Sequence, residues 1–279
     1  MIDLHSHTTA SDGVHPPEGL VRLAAAAGVT VLAVTDHDTT AAIAAATRAA
    51  EEQGGALRIV PGIEISSLWK GKEIHVLGHF IDPADETLCS RLAVFREARE
   101  NRMAAMVERC RSLGLDVTLE EVEARRTGPG TLGRPHLARL LVEKGYARDF
   151  QGAFDKWIGK GSPAWVERAM PDAAEAIALI RGAGGCATVA HPALSGLVEK
   201  DLRALAAAGM VGLEADHPAQ TPDVRKNLRL HARTLGLCAT AGSDYHADET
   251  GGMRLGTEGM EPGEFAGYEA LATRSTMVP

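Results

Sequence analysis

Six histidines and three carboxylates of this chain stand in short clusters: DLHSHT, SDG, TDHD, PGIEIS with EIHVLGH, and AHP with GSDYH. Each cluster falls where an apolar run ends. Short apolar runs read as buried strands, and side chains at the ends of adjacent parallel strands converge on one pocket. The residues so placed are His5, His7, Asp12, His37, Glu64, His75, His191, Asp244 and His246. Imidazoles and carboxylates are the donors that hold divalent cations. Ligand-type residues at several separate strand ends are much harder to obtain by accident than any one of them. A fold for this chain must therefore bring those strand ends together.

The pattern from Met1 supplies such a fold. β-Branched runs alternate with Ala-rich helical stretches, the signature of βα units. Strands are expected at Val29 to Thr35, Leu57 to Ile65 and Glu73 to Phe80, the last two joined by a turn around Lys70, Gly71 and Lys72. From about Pro83 to Pro171 the texture changes to long charged helices such as Leu88 to Leu113, with no strand stronger than Ala164 to Val166. A capping box at Thr118 and Glu121 and a glycine-rich loop from Gly128 to Gly133 punctuate this stretch. The alternation then resumes, with strands at Cys186 to Ala190, Val211 to Ala215 and Leu237 to Ala241. The expected organisation is a barrel in two segments, residues 1–82 and 171–279, split by an inserted helical cap, residues 83–170.

Bulk properties narrow the function. With 279 residues and 45% hydrophobic content the chain can build a full core. A formal charge of -8 argues against a general coat for duplex DNA or a membrane surface, both polyanionic. An anionic substrate needs a local cationic patch, which bound divalent ions would supply. Cys89, Cys110, Cys186 and Cys238 form no CxxC pair, so a thiolate zinc site or disulfide framework is not expected. The strand-like MIDLH start carries no leader pattern, and a reducing cytoplasm is the expected location.

DLHSHT, TDHD, the glutamate of PGIEIS, AHP and GSDYH together resemble the PHP family, named for its polymerase and histidinol-phosphatase members, over about two-thirds of the chain. The resemblance implies a distorted (β/α)7 barrel carrying up to three divalent ions. Transferred position by position, it assigns His5, His7, Glu64 and Asp244 to one ion. Glu64, His75 and His191 would hold a second, and Asp12, His37 and His246 a third. Asp12 stands where some relatives have histidine, which favours hard ions such as manganese or magnesium, with iron or zinc as alternatives. Asp3, Asp36 and Asp38 flank ligands and are better suited to orienting imidazoles than to binding metal. Asp36 or His191 could manage protons.

The implied chemistry is phosphate ester hydrolysis by a metal-bridging hydroxide. Arg134 and His136, in GRPHLARL at a helix N-terminus, form a candidate clamp for a second phosphate. Lys160 in IGKGSPAWV is a weaker addition, and His217 in EADHP either contacts substrate or shapes its turn. These cap segments resemble the PHP branch that acts on nucleoside 3',5'-bisphosphates and trims short RNA from its 5' end. Such an enzyme needs no obligatory protein partner. Aromatic residues are only 4% of the chain, so extended base stacking is not expected. Two other readings stay open: a small-molecule phosphomonoesterase of the histidinol-phosphate type, and a non-catalytic metal-binding regulatory domain.

Overall fold

The computed structural model describes residues 1–126, 130, 132–246 and 254–275. β1 (Ile2–Asp3) leads to α1 (Pro17–Ala26), whose first-turn proline costs no helical hydrogen bond. β2 (Val31–Val34) and α2 (Ile43–Glu52) follow, then the hairpin β3 (Arg58–Trp69) and β4 (Lys72–His79). Next come α3 (Glu86–Ser112), α4 (Leu119–Glu123), α5 (Arg134–Glu143) and α6 (Phe150–Ala153), the last running into a π-type turn, Phe154–Ile158. The chain returns through α7 (Ala173–Gly182), β5 (Cys186–Val189), α8 (Glu199–Ala207), β6 (Gly212–Asp216), α9 (Pro222–Leu235), β7 (Cys238–Ala241) and α10 (Pro262–Ser275).

The seven strands form one sheet in sequence order. All neighbours are parallel except β4, which runs antiparallel to both β3 and β5. Beyond β1 the backbone pairs with the end of β7, through Leu4 N–H to Ala241 O at 3.1 Å and His7 N–H to Tyr245 O at 2.9 Å. The sheet thus nearly closes, giving a distorted (β/α)7 barrel.

Burial explains why the elements pack as they do. Ile63, Ile65, Ile74, Val76, Val189 and Leu213 are wholly buried between the sheet and its helices. The insertion has an apolar core of its own, built from residues such as Met106, Cys110, Leu137, Leu140, Leu141 and Ile158. Asp85 starts α3 by accepting from Leu88 N–H at 2.7 Å, and the Thr118/Glu121 capping box forms as the sequence indicates.

Two expectations change. β3 continues past Ile65 because SSLW pairs across the hairpin down to Trp69 opposite Lys72. Ala164 to Val166 is not a strand: its backbone bonds to the turn below it, Ala164 N–H to Trp157 O and Trp165 N–H to Ser162 O, both at 2.9 Å. The glycine-rich loop lies largely outside the described residues, which include only Gly130, Leu132 and Gly133 of it. Helix α10 was not anticipated.

Candidate metal centre and anion pocket

The carboxyl ends of the parallel strands deliver the donors. His5 and His7 follow β1, His37 follows β2, Glu64 lies in β3, His191 follows β5, and Asp244 and His246 follow β7. His75 arrives differently. β4 is antiparallel, and its register places His75 opposite Ser66, on the face that Glu64 shares two residues away.

Glu64 is the hub. Its Oε2 lies 3.5 Å from His5 Nε2, 3.2 Å from His7 Nε2 and 3.0 Å from His37 Nδ1. Its Oε1 lies 2.8 Å from His75 Nδ1 and 3.4 Å from His191 Nε2. Asp244 Oδ1 is 3.2 Å from both His5 Nε2 and His7 Nε2. Asp12 Oδ1 is 3.3 Å from His246 Nε2, and Asp12 Oδ2 is 3.8 Å from His37 Nε2. Donors about 2.1 Å from an ion stand roughly 3.0–3.4 Å apart, so these spacings suit shared divalent cations. Three donor groups result: His5, His7, Glu64 and Asp244; His37, Glu64 and His75; and His7, Asp12, His37 and His246.

Orphaned atoms point the same way. His5 Nε2, His7 Nε2, Asp12 Oδ1 and Glu64 Oε2 are buried without a hydrogen-bond partner, a costly state unless an ion meets them. Burial disfavours a charged His7, yet Asp244 and Glu64 outweigh it and hold its pKa up at about 10. Burial likewise opposes ionisation of Glu64, but His37, His75 and His5 keep its pKa well below the usual carboxylate range. Protons on imidazoles here balance the same carboxylates that metal ions would.

A pocket opens from this cluster toward α3 and α5, lined by Asp12, His37 and His75 and by Arg99, Arg102, Arg134 and Arg168, with Glu73 among them. Burial, and then the neighbouring Arg134, lower the Arg102 pKa to about 9. Burial and Arg99 lower Arg168 to about 10. Buried Arg102 Nη2 and Arg168 Nε have no hydrogen-bond partner. Crowded guanidiniums with unused donors have the chemistry to hold an anion.

The PHP domain family matches residues 3–100. The 5'-3' exoribonuclease Rnm of Escherichia coli is 40% identical over 248 residues, 88% of this chain and 84% of that protein. The chain belongs to the PHP family. A 3',5'-nucleoside bisphosphate phosphatase of Chromobacterium violaceum is 34% identical over 94% of this PHP chain and 93% of its own. A solved structure described as a metal-dependent phosphoesterase, from Bifidobacterium adolescentis, superposes with a TM-score of 0.89 at 33% identity, covering 96% of this chain and 95% of that one. This PHP chain is a metal-dependent phosphoric ester hydrolase.

Eight of the nine donors read from the sequence fall within the three groups. His191 sits at the edge, by its contact with Glu64 Oε1. The second group differs from the expected one in taking His37 beside Glu64 and His75. Asp36 is engaged by the first loop: its carboxylate accepts from Thr8 N–H at 2.8 Å, Thr8 Oγ1 at 2.7 Å and Ser11 Oγ at 2.6 Å, fixing the loop that carries Asp12. His217 is fully buried, its Nε2 donating to Asp244 Oδ2 at 3.2 Å and its Nδ1 accepting from Ala219 N–H at 3.1 Å, so it shapes its own turn and steadies Asp244. His136 caps its own helix, Nδ1 accepting from Gly133 N–H at 3.1 Å. Arg134 lines the pocket. Lys160 is exposed and does not.

Sequence reasoning missed Glu214, buried in β6, whose Oε1 takes His5 Nδ1 at 2.9 Å and whose Oε2 takes His191 N–H at 2.7 Å. The signal was present: a glutamate inside the apolar run VGLEA. It also missed Arg99, Arg102 and Arg168, which the sequence scatters over α3 and the segment leaving the cap.

Proposed function

We propose that this PHP enzyme removes the 3'-phosphate from nucleoside 3',5'-bisphosphates and trims short 5'-phosphorylated RNA from its 5' end. The observation that carries this is the four-arginine pocket opening directly onto Asp12, His37 and His75. A substrate with two phosphates uses both halves of that site. The activities by which the two relatives are named, one on RNA and one on nucleoside bisphosphates, support the same reading.

His5, His7, Asp12, His37, Glu64, His75, His191, Asp244 and His246 would hold up to three divalent ions, manganese first, with magnesium, iron or zinc as alternatives. Ions bound there supply Lewis acidity toward phosphoryl oxygens and bring water toward ionisation near neutral pH. The chain's own contribution is positioning. Glu214 fixes the His5 tautomer by accepting from Nδ1–H, which leaves Nε2 for an ion, and His217 aligns Asp244. The Trp165 ring centre lies 4.3 Å from the Arg102 guanidinium carbon and 5.0 Å from that of Arg134, a cation–π support for the two groups that would meet the second phosphate.

We take residues 83–170 as the cap that supplies this clamp and residues 1–82 and 171–279 as the barrel that supplies the donors. Gripping a substrate by its phosphorylated end suits a protein of charge -8, which has no use for duplex DNA or an anionic membrane. Cys89, Cys110, Cys186 and Cys238 are all free thiols, and we place the enzyme in the cytoplasm. Among the described residues no helix is long and apolar enough to cross a membrane.

The test compares kcat/KM of manganese-loaded protein on a nucleoside 3',5'-bisphosphate, a 5'-phosphorylated dinucleotide and histidinol phosphate. Preference for the first two is expected. Preference for histidinol phosphate overturns the substrate assignment, and background rates on all three with manganese, iron and zinc overturn catalysis.

A further inference from the structure

The four pocket arginines are held in two different ways. Arg102 and Arg134 lean on Trp165, a cap residue. Arg99, although it belongs to the cap helix α3, is held by the barrel: its Nε donates to Asp38 Oδ2 at 2.5 Å and its Nη2 to Ser66 Oγ at 2.8 Å, and Arg168 Nη1 shares Asp38 Oδ2 at 3.2 Å. Those two acceptors are neighbours of metal donors. Asp38 follows His37, and Ser66 lies two residues beyond Glu64 on the same face of β3. Asp38 is itself fixed, fully buried with a left-handed φ of 54° and its N–H on Glu64 O at 3.0 Å. A non-glycine residue accepts that backbone only when its surroundings impose it.

The remaining nitrogen, Arg99 Nη1, lies 3.9 Å from the point where a side chain on Gly133 would begin, and Asp12 Oδ2 lies 3.7 Å from the same point. The guanidinium and the candidate metal donor Asp12 thus approach the same point beside Gly133, which Pro135 Cδ bounds at 3.2 Å. We propose that Arg99 is a catalytic residue, its Nη1 meeting an oxygen of the reacting phosphoryl group, and that Asp38 is the positioning residue that aims it. Arg102 and Arg134 then serve the remote phosphate. A guanidinium set by two bonds before substrate arrives stabilises charge on the phosphoryl oxygens without reorganising. The assignment rests on phosphoester hydrolysis at the metal centre but not on the choice of a bisphosphate.

The experiment uses metal-loaded wild type, Arg99→Ala, Arg99→Lys, Asp38→Asn and the Arg99→Ala/Asp38→Asn double variant. Each is assayed for kcat and KM on a nucleoside 3',5'-bisphosphate and on 4-nitrophenyl phosphate, which has a single phosphate. Metal content and calorimetric binding of inorganic phosphate are measured alongside. Arg99→Ala is expected to lower kcat about 100-fold or more on both substrates and to weaken phosphate binding, with metal content unchanged. Lysine restores part of the loss, keeping the charge but not the fork. Asp38→Asn, which tolerates the left-handed backbone, loses about tenfold in kcat and costs clearly less in the Arg99→Ala background than alone, the remainder coming through Arg168, which the same carboxylate holds. A loss confined to the bisphosphate, or to KM, would place Arg99 in the remote clamp and overturn the proposal. Additive losses would remove Asp38 from it. Should the alanine variant fail to fold, Arg99→Lys and Asp38→Asn decide by the same criteria. Wild type that cleaves the aryl phosphate and ignores the bisphosphate sinks the substrate reading above, while Arg99 is still judged on the aryl ester.

Discussion

Glu214→Gln separates a buried structural carboxylate from one that tunes the metal centre. Glu214 accepts two hydrogen bonds, one on each oxygen: from His5 Nδ1 at 2.9 Å and from the His191 backbone N–H at 2.7 Å. For His5 Nε2 to face an ion, Nδ1 must carry the proton, so both partners of Glu214 are donors. Glutamine matches glutamate in size but offers one acceptor and one NH2 group. In either orientation it sets a donor against a donor, at His5 or at His191. The loss is one charge-assisted hydrogen bond of about 1.5–3 kcal/mol, or roughly 10- to 150-fold in affinity. That agrees with the 10- to 100-fold typical when the partner of a ligating histidine is removed. Manganese affinity, measured by competition with a chromophoric chelator at pH 7.5, should fall in that range, while the circular dichroism spectrum stays that of the wild type. An affinity within twofold of wild type would refute the claim that Glu214 holds His5 in its metal-binding tautomer.

Other perturbations test the site from different sides. Asp244→Asn and His191→Ala should each leave less than about 1% of the phosphatase rate in a soluble, folded protein, because they remove a donor rather than core packing; retained activity in either would exclude that residue from the centre. Gly242→Ala should destabilise by about 3 kcal/mol in urea unfolding, since its Cβ would come within 2.3 Å of His5 Cβ and 2.7 Å of His5 N, and an unchanged midpoint would show that β1 and β7 do not meet as described. For protein stripped of metal, the His7 pKa stands above its unfolded value of 6.5 at about 10, so protonated His7 contributes stability that is full below 6.5 and lost as pH rises through 10. The melting temperature of stripped protein should therefore fall between pH 7 and 10, whereas metal stabilisation should grow with pH as imidazoles lose protons to bind it; a flat profile for stripped protein would contradict the charge balance inferred for the cluster.

How much of this was legible in the sequence depends on the range of the interaction concerned. The donors at strand ends were readable because each announces itself locally, as a histidine or carboxylate where an apolar run stops. The hairpin at Lys70 and Gly71 and the capping box at Thr118 were readable for the same reason, since turn and cap chemistry is settled within four residues. The grouping of donors into sites was not local. His37 replaces His191 beside His75 because the parallel bridge between His37 and Glu64 brings those strands together, and register is a property of pairing. The arginine pocket was the hardest to see. Arg99, Arg102 and Arg168 sit in charged stretches where a solvated face is the ordinary reading, and only the fold of the insertion over the barrel turns them inward. Lys160 shows the converse: a lysine between two glycines looks like a loop poised over a ligand, yet it points to solvent.

The same long-range geometry explains why the centre must be specified by the whole barrel. Of the non-glycine residues with left-handed backbone among those described, Asp38, His191 and Asp244 all stand at its mouth, with φ of 54°, 28° and 51°. Each such residue costs about 1–3 kcal/mol, and none of the three is held by its own neighbours in sequence alone. The Asp38 carboxylate is fixed by Arg99 and Arg168 from the cap, His191 N–H by Glu214 from β6, and Asp244 by His217 from the turn after β6. His191 and Asp244 meet Glu64 and His5 from this backbone, while Asp38 meets Arg99 and Arg168. The strain persists because the restraining groups come from other strands and from the cap. Loosening the cap therefore acts on the metal centre as well as on substrate binding, through Asp38 and the His37 that precedes it.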